Sequence, residues 1–173
     1  TNWQKKEGNV FTNHNSTAHS GTYVAMSRSY DGAARSVDNW LVSPRMTLGD
    51  CLKFWVLDDG TYHEDFRVYV STATNAVDDF VPVADPGNAS DTWTEITVDL
   101  SAYAGQQGYI AIRHTDYDKN YLFIDDFGVY QTYTYGAETT VTATTNPCKL
   151  TGLYAETTYE VQVQANSSTD GNS

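Results

Sequence analysis

Basic residues are scarce in this chain. Ten lysines and arginines face 22 aspartates and glutamates, a formal net charge of −12 over 173 residues. A field of that sign repels phosphate backbones and anionic lipid surfaces, so nucleic acid is excluded as a natural partner. No apolar run is long enough to cross a bilayer as a helix, so no membrane insertion is expected. The chain opens on polar residues, and no signal peptide is visible. No long segment sustains a helical period, which removes the helical fold classes. There are only two cysteines, Cys51 and Cys148. They lie far apart, and spacing alone leaves their pairing open. Hydrolase motifs are missing as well: there is no G-x-S-x-G and no H-E-x-x-H. His14 and His19 sit in a polar stretch and read as solvated. Carboxylate pairs exist, but in turn sequences rather than across a cleft, where a glycosidase needs them. The chain therefore reads as a non-enzyme.

Strand formers are abundant. Tyrosine occurs 13 times, and threonine is frequent. Short strands are expected at Thr22–Met26, Asn39–Ser43, Cys51–Leu57, Phe66–Ser71, Phe80–Val83, Trp93–Leu100, Tyr109–His114 and Tyr121–Tyr130. Residues 1–20 read as a loop or the end of a strand. Phe66, Val68 and Val70 alternate with Arg67 and Tyr69, and Ile110 and Ile112 with Ala111 and Arg113, the period-2 pattern of half-buried strands. Strands at this spacing predict an all-β, antiparallel jelly-roll β-sandwich over residues 1–132. The last two expected strands, joined by a short polar loop, read as a hairpin. Sequons at Asn15, Asn88 and Asn166 suggest exposed loops.

Three groups of residues are candidates for a site. Asp125 and Asp126 interrupt an apolar strand, where carboxylates are costly unless a cation or a full set of donors meets them. With Asp38 and Asn39, which precede another strand, they make a candidate calcium shell, since calcium takes six to eight hard oxygens. The alternative is a set of ordinary solvated edge acids. The stretch 58–65, DDGTYHED, contributes Asp58, Asp59, Tyr62 and His63. The stretch 114–120 contributes His114, Asp116, Tyr117, Asp118 and Asn120. Tyrosine for stacking on a pyranose, with Asp and Asn for hydroxyl contacts, suits sugar binding, and adjacency of the two loops would join them into one ligand surface. Solvated turns are the plainer reading of both.

The series VDNWLVSP, LKFWVLDDGTYHEDFRVYVST, TWTEITVDLSAYAGQQGYIAIRH and NYLFIDDFGVY resembles the cleaved adhesin domain, over roughly residues 20–131. This module is repeated in the adhesin regions of gingipain-type and related Bacteroidetes surface proteins. The resemblance implies a jelly roll similar to MAM domains, structural calcium, a secreted or cell-surface location, and a non-catalytic adhesion role toward a host protein or glycan ligand. A carbohydrate-binding module of a larger extracellular enzyme and a structural spacer are the alternatives. The family usually opens with an acidic Phe-Glu strand and an Asp/Gly-rich turn, which do not precede Trp3 here. Residues 133–173 resemble the late strands of a fibronectin type III repeat. Leu150, Leu153, Val161 and Val163 are expected to face inward, with Tyr159 as the corner tyrosine.

Overall fold

The computed structural model describes residues 3–7, 18–132, 140–145, 147–150, 159 and 161–163. His14, Asn15, Leu153 and Asn166 lie outside them. Contacts between Cα atoms divide the chain into two units, Thr1–Tyr133 and Thr134–Ser173.

The described residues of the first unit form ten strands: β1 (Gln4–Glu7), β2 (Tyr23–Arg28), β3 (Asn39–Val42), β4 (Met46–Thr47), β5 (Cys51–Leu57), β6 (Asp65–Ser71), β7 (Val81–Asn88), β8 (Thr94–Asp99), β9 (Gln107–His114) and β10 (Tyr121–Tyr130). One sheet has the order β1-β2-β10-β5-β8, the other β3-β9-β6-β7, with β4 also paired to β9. Every strand pairing is antiparallel. The architecture is the jelly-roll sandwich that the strand spacing predicts.

Alternation along each strand builds the core. Leu52, Phe54 and Val56 of β5 and Leu122 and Ile124 of β10 meet Phe66, Val68 and Val70 of β6 and Ile110 and Ile112 of β9 in one buried cluster. Phe54 packs edge-on against Phe66 across the two sheets, with ring centroids 6.0 Å apart. Both rings are fully buried, and truncating either to alanine removes about 3–5 kcal/mol.

The last two strands do not form a hairpin. β9 pairs with β3, β4 and β6, whereas β10 pairs with β2 and β5. Each strand carries one strongly apolar face, and those faces meet through the core instead of lying side by side. The loop between them crosses from one sheet to the other. The expected strand at Phe80–Val83 runs instead as β7, Val81–Asn88. It holds Pro82 and Pro86 and lies at a sheet edge, where missing N–H donors are tolerated. The chain around residue 4 pairs with β2 as strand β1, at a position where the sequence suggests only a loop or a strand remnant.

In the second unit none of the described residues is in a strand. The inward placement expected there is corrected: Leu150 is 41%, Val161 60% and Val163 92% exposed, and Tyr159 is 42% exposed. A segment of forty residues is short for covering an apolar face of its own.

Candidate functional site

Four connections cross between the sheets at the same end of the sandwich. The first is residues 29–38 from β2 to β3, the second 58–64 from β5 to β6, the third 115–120 from β9 to β10, and the fourth 89–93 from β7 to β8. The register places Arg28 opposite Tyr121, Leu57 opposite Phe123, and His114 opposite both Asn39 and Phe66, so these strand ends are level. A crossing loop must pass over the rim of the core, which brings its polar groups into buried positions where each needs a partner.

The partner set is a linked chain. Asn39 Nδ2 donates to Ser27 Oγ (2.8 Å), Ser27 Oγ meets His114 Nδ1 (2.7 Å), and His114 Nε2 meets Glu64 Oε2 (2.8 Å). Glu64 Oε1 accepts from Ser29 Oγ (2.8 Å) and from the backbone N–H of Asn120 (2.6 Å). Ser27, Ser29, Asn39, Glu64 and His114 are all buried. The network ties the first three crossings together: Ser29 from the first, Glu64 from the second, Asn120 from the third. His114 was a candidate for ligand contact, and the structure corrects this. Its ring is wholly enclosed and acts as a weld within the fold.

Asp58 and Asp59 are likewise internal rather than displayed. Asp58 accepts from the N–H of Gly60 (2.7 Å) and of Glu64 (3.3 Å), and Asp59 from those of Thr61 and Tyr62 (3.1 and 3.0 Å). Asn120 Nδ2 donates to the second oxygen of Asp59. His63 Nδ1 lies 2.9 Å from Asp58 Oδ2, and this hydrogen bond, followed by the charge of Asp58, raises the imidazole pKa above its ordinary value. Asp116 accepts from the N–H of Asp65 (2.7 Å) and pairs with Lys119 (2.9 Å), whose Nζ also donates to the carbonyl of His63 (2.6 Å). The second and third crossings are thus joined directly. They leave outward Tyr62 (55% exposed), Tyr117 (63% exposed) and the exposed Thr61, His63 and Asp118, the last held at φ +52°.

The cleaved adhesin domain model matches residues 1–129. The chain belongs to the cleaved adhesin domain family. It is 35% identical over 133 residues to Protease PrtH and, equally, to Hemagglutinin A, both of Porphyromonas gingivalis. Each match takes in 64% of this chain but only 13% and 5% of the respective relative. Among solved structures it resembles the K2 cleaved adhesin domain of Lys-gingipain, with TM-score 0.66 and 26% identity, covering 76% of this chain and 83% of that one. The K1 domain of Lys-gingipain from Porphyromonas gingivalis shares the fold at TM-score 0.62 and 22% identity, covering 76% and 85%.

In this cleaved adhesin domain the four residues put forward as a calcium shell do not converge. Asp38 forms a two-pronged pair with Arg113 (2.7 and 3.0 Å), which holds its carboxyl below the usual range. Asn39 is consumed by the buried chain. Asp125 and Asp126 do sit together, at a bulge in β10 where Asp126 adopts φ +47°. Their oxygens already accept from protein donors. Asp125 takes the N–H of Ser20 (3.2 Å) and of Asp126 (2.8 Å), and Asp126 takes the hydroxyl of Ser20 and faces His19 Nδ1 (2.6 Å). Those contacts, led by Ser20 and then His19, lower the pKa of Asp126. The residues as placed do not form the six-to-eight-oxygen cage that calcium needs. Glu64, His114 and Asp116 bring ligand atoms within 4.8 Å of one another, but those atoms are already spent on the bonds described above.

Ser20, His19 and Asp126 supply the residue types of a hydrolytic triad in the wrong order. Both Ser20 and His19 bind the carboxylate, and no bond among the described residues links hydroxyl to imidazole. The His19 ring stacks on Trp55, with centroids 3.8 Å apart, so its role is packing. In the first crossing the sequence suggested only Asp38. Arg28, at the end of β2, and Arg35 both pair with Asp31 in an ion-paired trio whose signal in the sequence was charge within a loop of Gly, Ser and Ala.

Proposed function

We propose that this chain is a non-catalytic adhesion module, secreted or held at a cell surface, that grips a host ligand with the crossing-loop end of its sandwich. The observation that carries this reading is the buried weld from Asn39 through Ser27 and His114 to Glu64, Ser29 and Asn120. It fixes three connections at one end, while Tyr62 and Tyr117 stay exposed on them. Rings on rigid loops lose little entropy on binding, which suits a recognition surface. Family membership supports the same reading, since the relatives include a protein called Hemagglutinin A. The proteolysis implied by the name of Protease PrtH is not assigned to this chain, which spans 13% of that relative.

The test is binding of the purified chain to a glycan array and to immobilised host extracellular-matrix proteins. The Tyr62→Ala/Tyr117→Ala double variant should lose about tenfold or more in affinity, the effect of removing two aromatic contacts. Unchanged binding by a folded double variant would remove the loop end from the mechanism. Absence of any ligand on either surface would favour a spacer role.

A further inference from the structure

Resting on that reading of the loop end, we propose that the first crossing holds an anion subsite, and that the ligand is an acidic saccharide carrying a carboxylate or sulfate. Arg28 Nη1 pairs with Asp31 Oδ1 at 2.7 Å, and Arg35 Nη2 pairs with Asp31 Oδ2 at 2.8 Å. No second carboxylate pairs with either guanidinium among the described residues, so two cations share one anion. The trio itself is thus net positive, within a chain of net charge −12.

The trio also keeps an unfilled donor. Arg28 Nε is buried and has no hydrogen-bond partner among the described residues. A buried donor of this kind is unfavourable unless an acceptor reaches it, and the planar fork of arginine suits the two oxygens of a carboxylate or sulfate. The loop that presents the pair is anchored. Arg35 N–H donates to the Ser29 carbonyl (2.8 Å), and the Ser29 hydroxyl is bound to buried Glu64 (2.8 Å). Ser36 forms a β-bridge to Tyr117, which joins this loop to the third crossing. Tyr30 (40% exposed) and Tyr117 (63% exposed) flank it in sequence and in pairing. Exposed rings beside a guanidinium pair are a surface on which a sugar stacks while its acid group is clamped. An acidic peptide would satisfy the charges but has no use for the rings, which is why a saccharide is the assignment.

Calorimetric titration of the full 173-residue chain decides the matter, with sialyllactose, a heparin-derived hexasaccharide and neutral lactose as probes. The two acidic probes should bind, and more weakly as salt screens the pair, while lactose should not. Binding of either supports the subsite. Arg35→Gln should weaken binding about tenfold, and Asp31→Asn, which removes the competing internal anion, should strengthen it by a comparable factor. That gain is not expected of a trio that merely holds the loop. Lactose binding as well as sialyllactose, an Asp31→Asn variant no tighter than the parent, or capture of poly-glutamate but no saccharide would each overturn the proposal. Neutral-glycan binding that disappears in Tyr62→Ala/Tyr117→Ala but survives Arg35→Gln would sink the anion subsite and leave the adhesion reading standing. Arginine-dependent binding of an acidic probe that ignores both tyrosines would overturn the saccharide assignment, since the rings are its platform.

Discussion

The crossing-loop end and the Asp125–Asp126 bulge both set carboxylates against strands of the sandwich, one buried and one at the surface, and they satisfy them differently. Glu64 is wholly buried and takes three donors, from His114, Ser29 and Asn120. Asp126 is exposed and takes the hydroxyl and imidazole of a neighbouring segment. Depth decides what each pair is worth. A carboxylate without water has no fallback when a partner is removed, whereas a surface carboxylate simply rehydrates. At both, protein donors meet the carboxylate oxygens, and the bulge is where the sequence alone suggested an ion.

This contrast is open to direct attack, most forcefully at the buried end. Glu64→Ala or His114→Ala leaves an orphaned polar partner and should cost about 3–5 kcal/mol in denaturant unfolding. A loss below about 1 kcal/mol would mean that the network is decoration. At the bulge, Asp126→Ala should cost about 1 kcal/mol, since solvent replaces the lost partners. Its pH behaviour sharpens the point. The folded-state pKa of Asp126 is depressed, so its contribution is present above the ordinary carboxylate value and disappears as pH falls through the folded value. Substitution should therefore flatten the acid limb of the stability profile. A profile that falls as steeply as the parent's would contradict the assignment.

His63 supplies a smaller, opposite effect. Its folded pKa lies above the ordinary 6.5, so its contribution is complete below that value and fades as pH rises through the folded one. A histidine titration by NMR should find its midpoint raised, and Asp58→Asn should return it toward 6.5. Smallest of all is the response to calcium. With the bulge oxygens filled by Ser20 and His19, chelation should leave the melting midpoint where it was. Saturating calcium at about 100 times its dissociation constant would add about 2.7 kcal/mol if an ion displaced those donors, so a clear upward shift would reverse the comparison between the two regions.

Much of the framework was legible from alternation alone. Phe66, Val68 and Val70 point into the core and Arg67 away from it, because a half-buried strand must sort its side chains by parity. Partner choice was not legible. Tyr109–His114 and Tyr121–Tyr130 have the local chemistry of a hairpin, yet they belong to different sheets. Nothing local distinguishes a loop that turns back from one that crosses over a core. That single ambiguity hid most of the candidate site, since the burial of Asp58, Asp59 and His114 follows from the crossings. Asp38 illustrates the same limit: its neighbour in sequence, Asn39, enters the interior, while Asp38 itself faces outward to Arg113.

Composition and period were enough to settle an acidic, all-β chain with two-faced strands, because charge is additive and side-chain parity is built into extended backbone. The order of strands within the two sheets, the enclosure of Glu64 and His114, and the gathering of Arg28, Asp31 and Arg35 beside the exposed tyrosines came only with the fold. The first two join residues distant along the chain, and the energy that selects them is the shared burial of both sheets, which no single segment carries; the trio is local in sequence, but its β-bridge to Tyr117 is not.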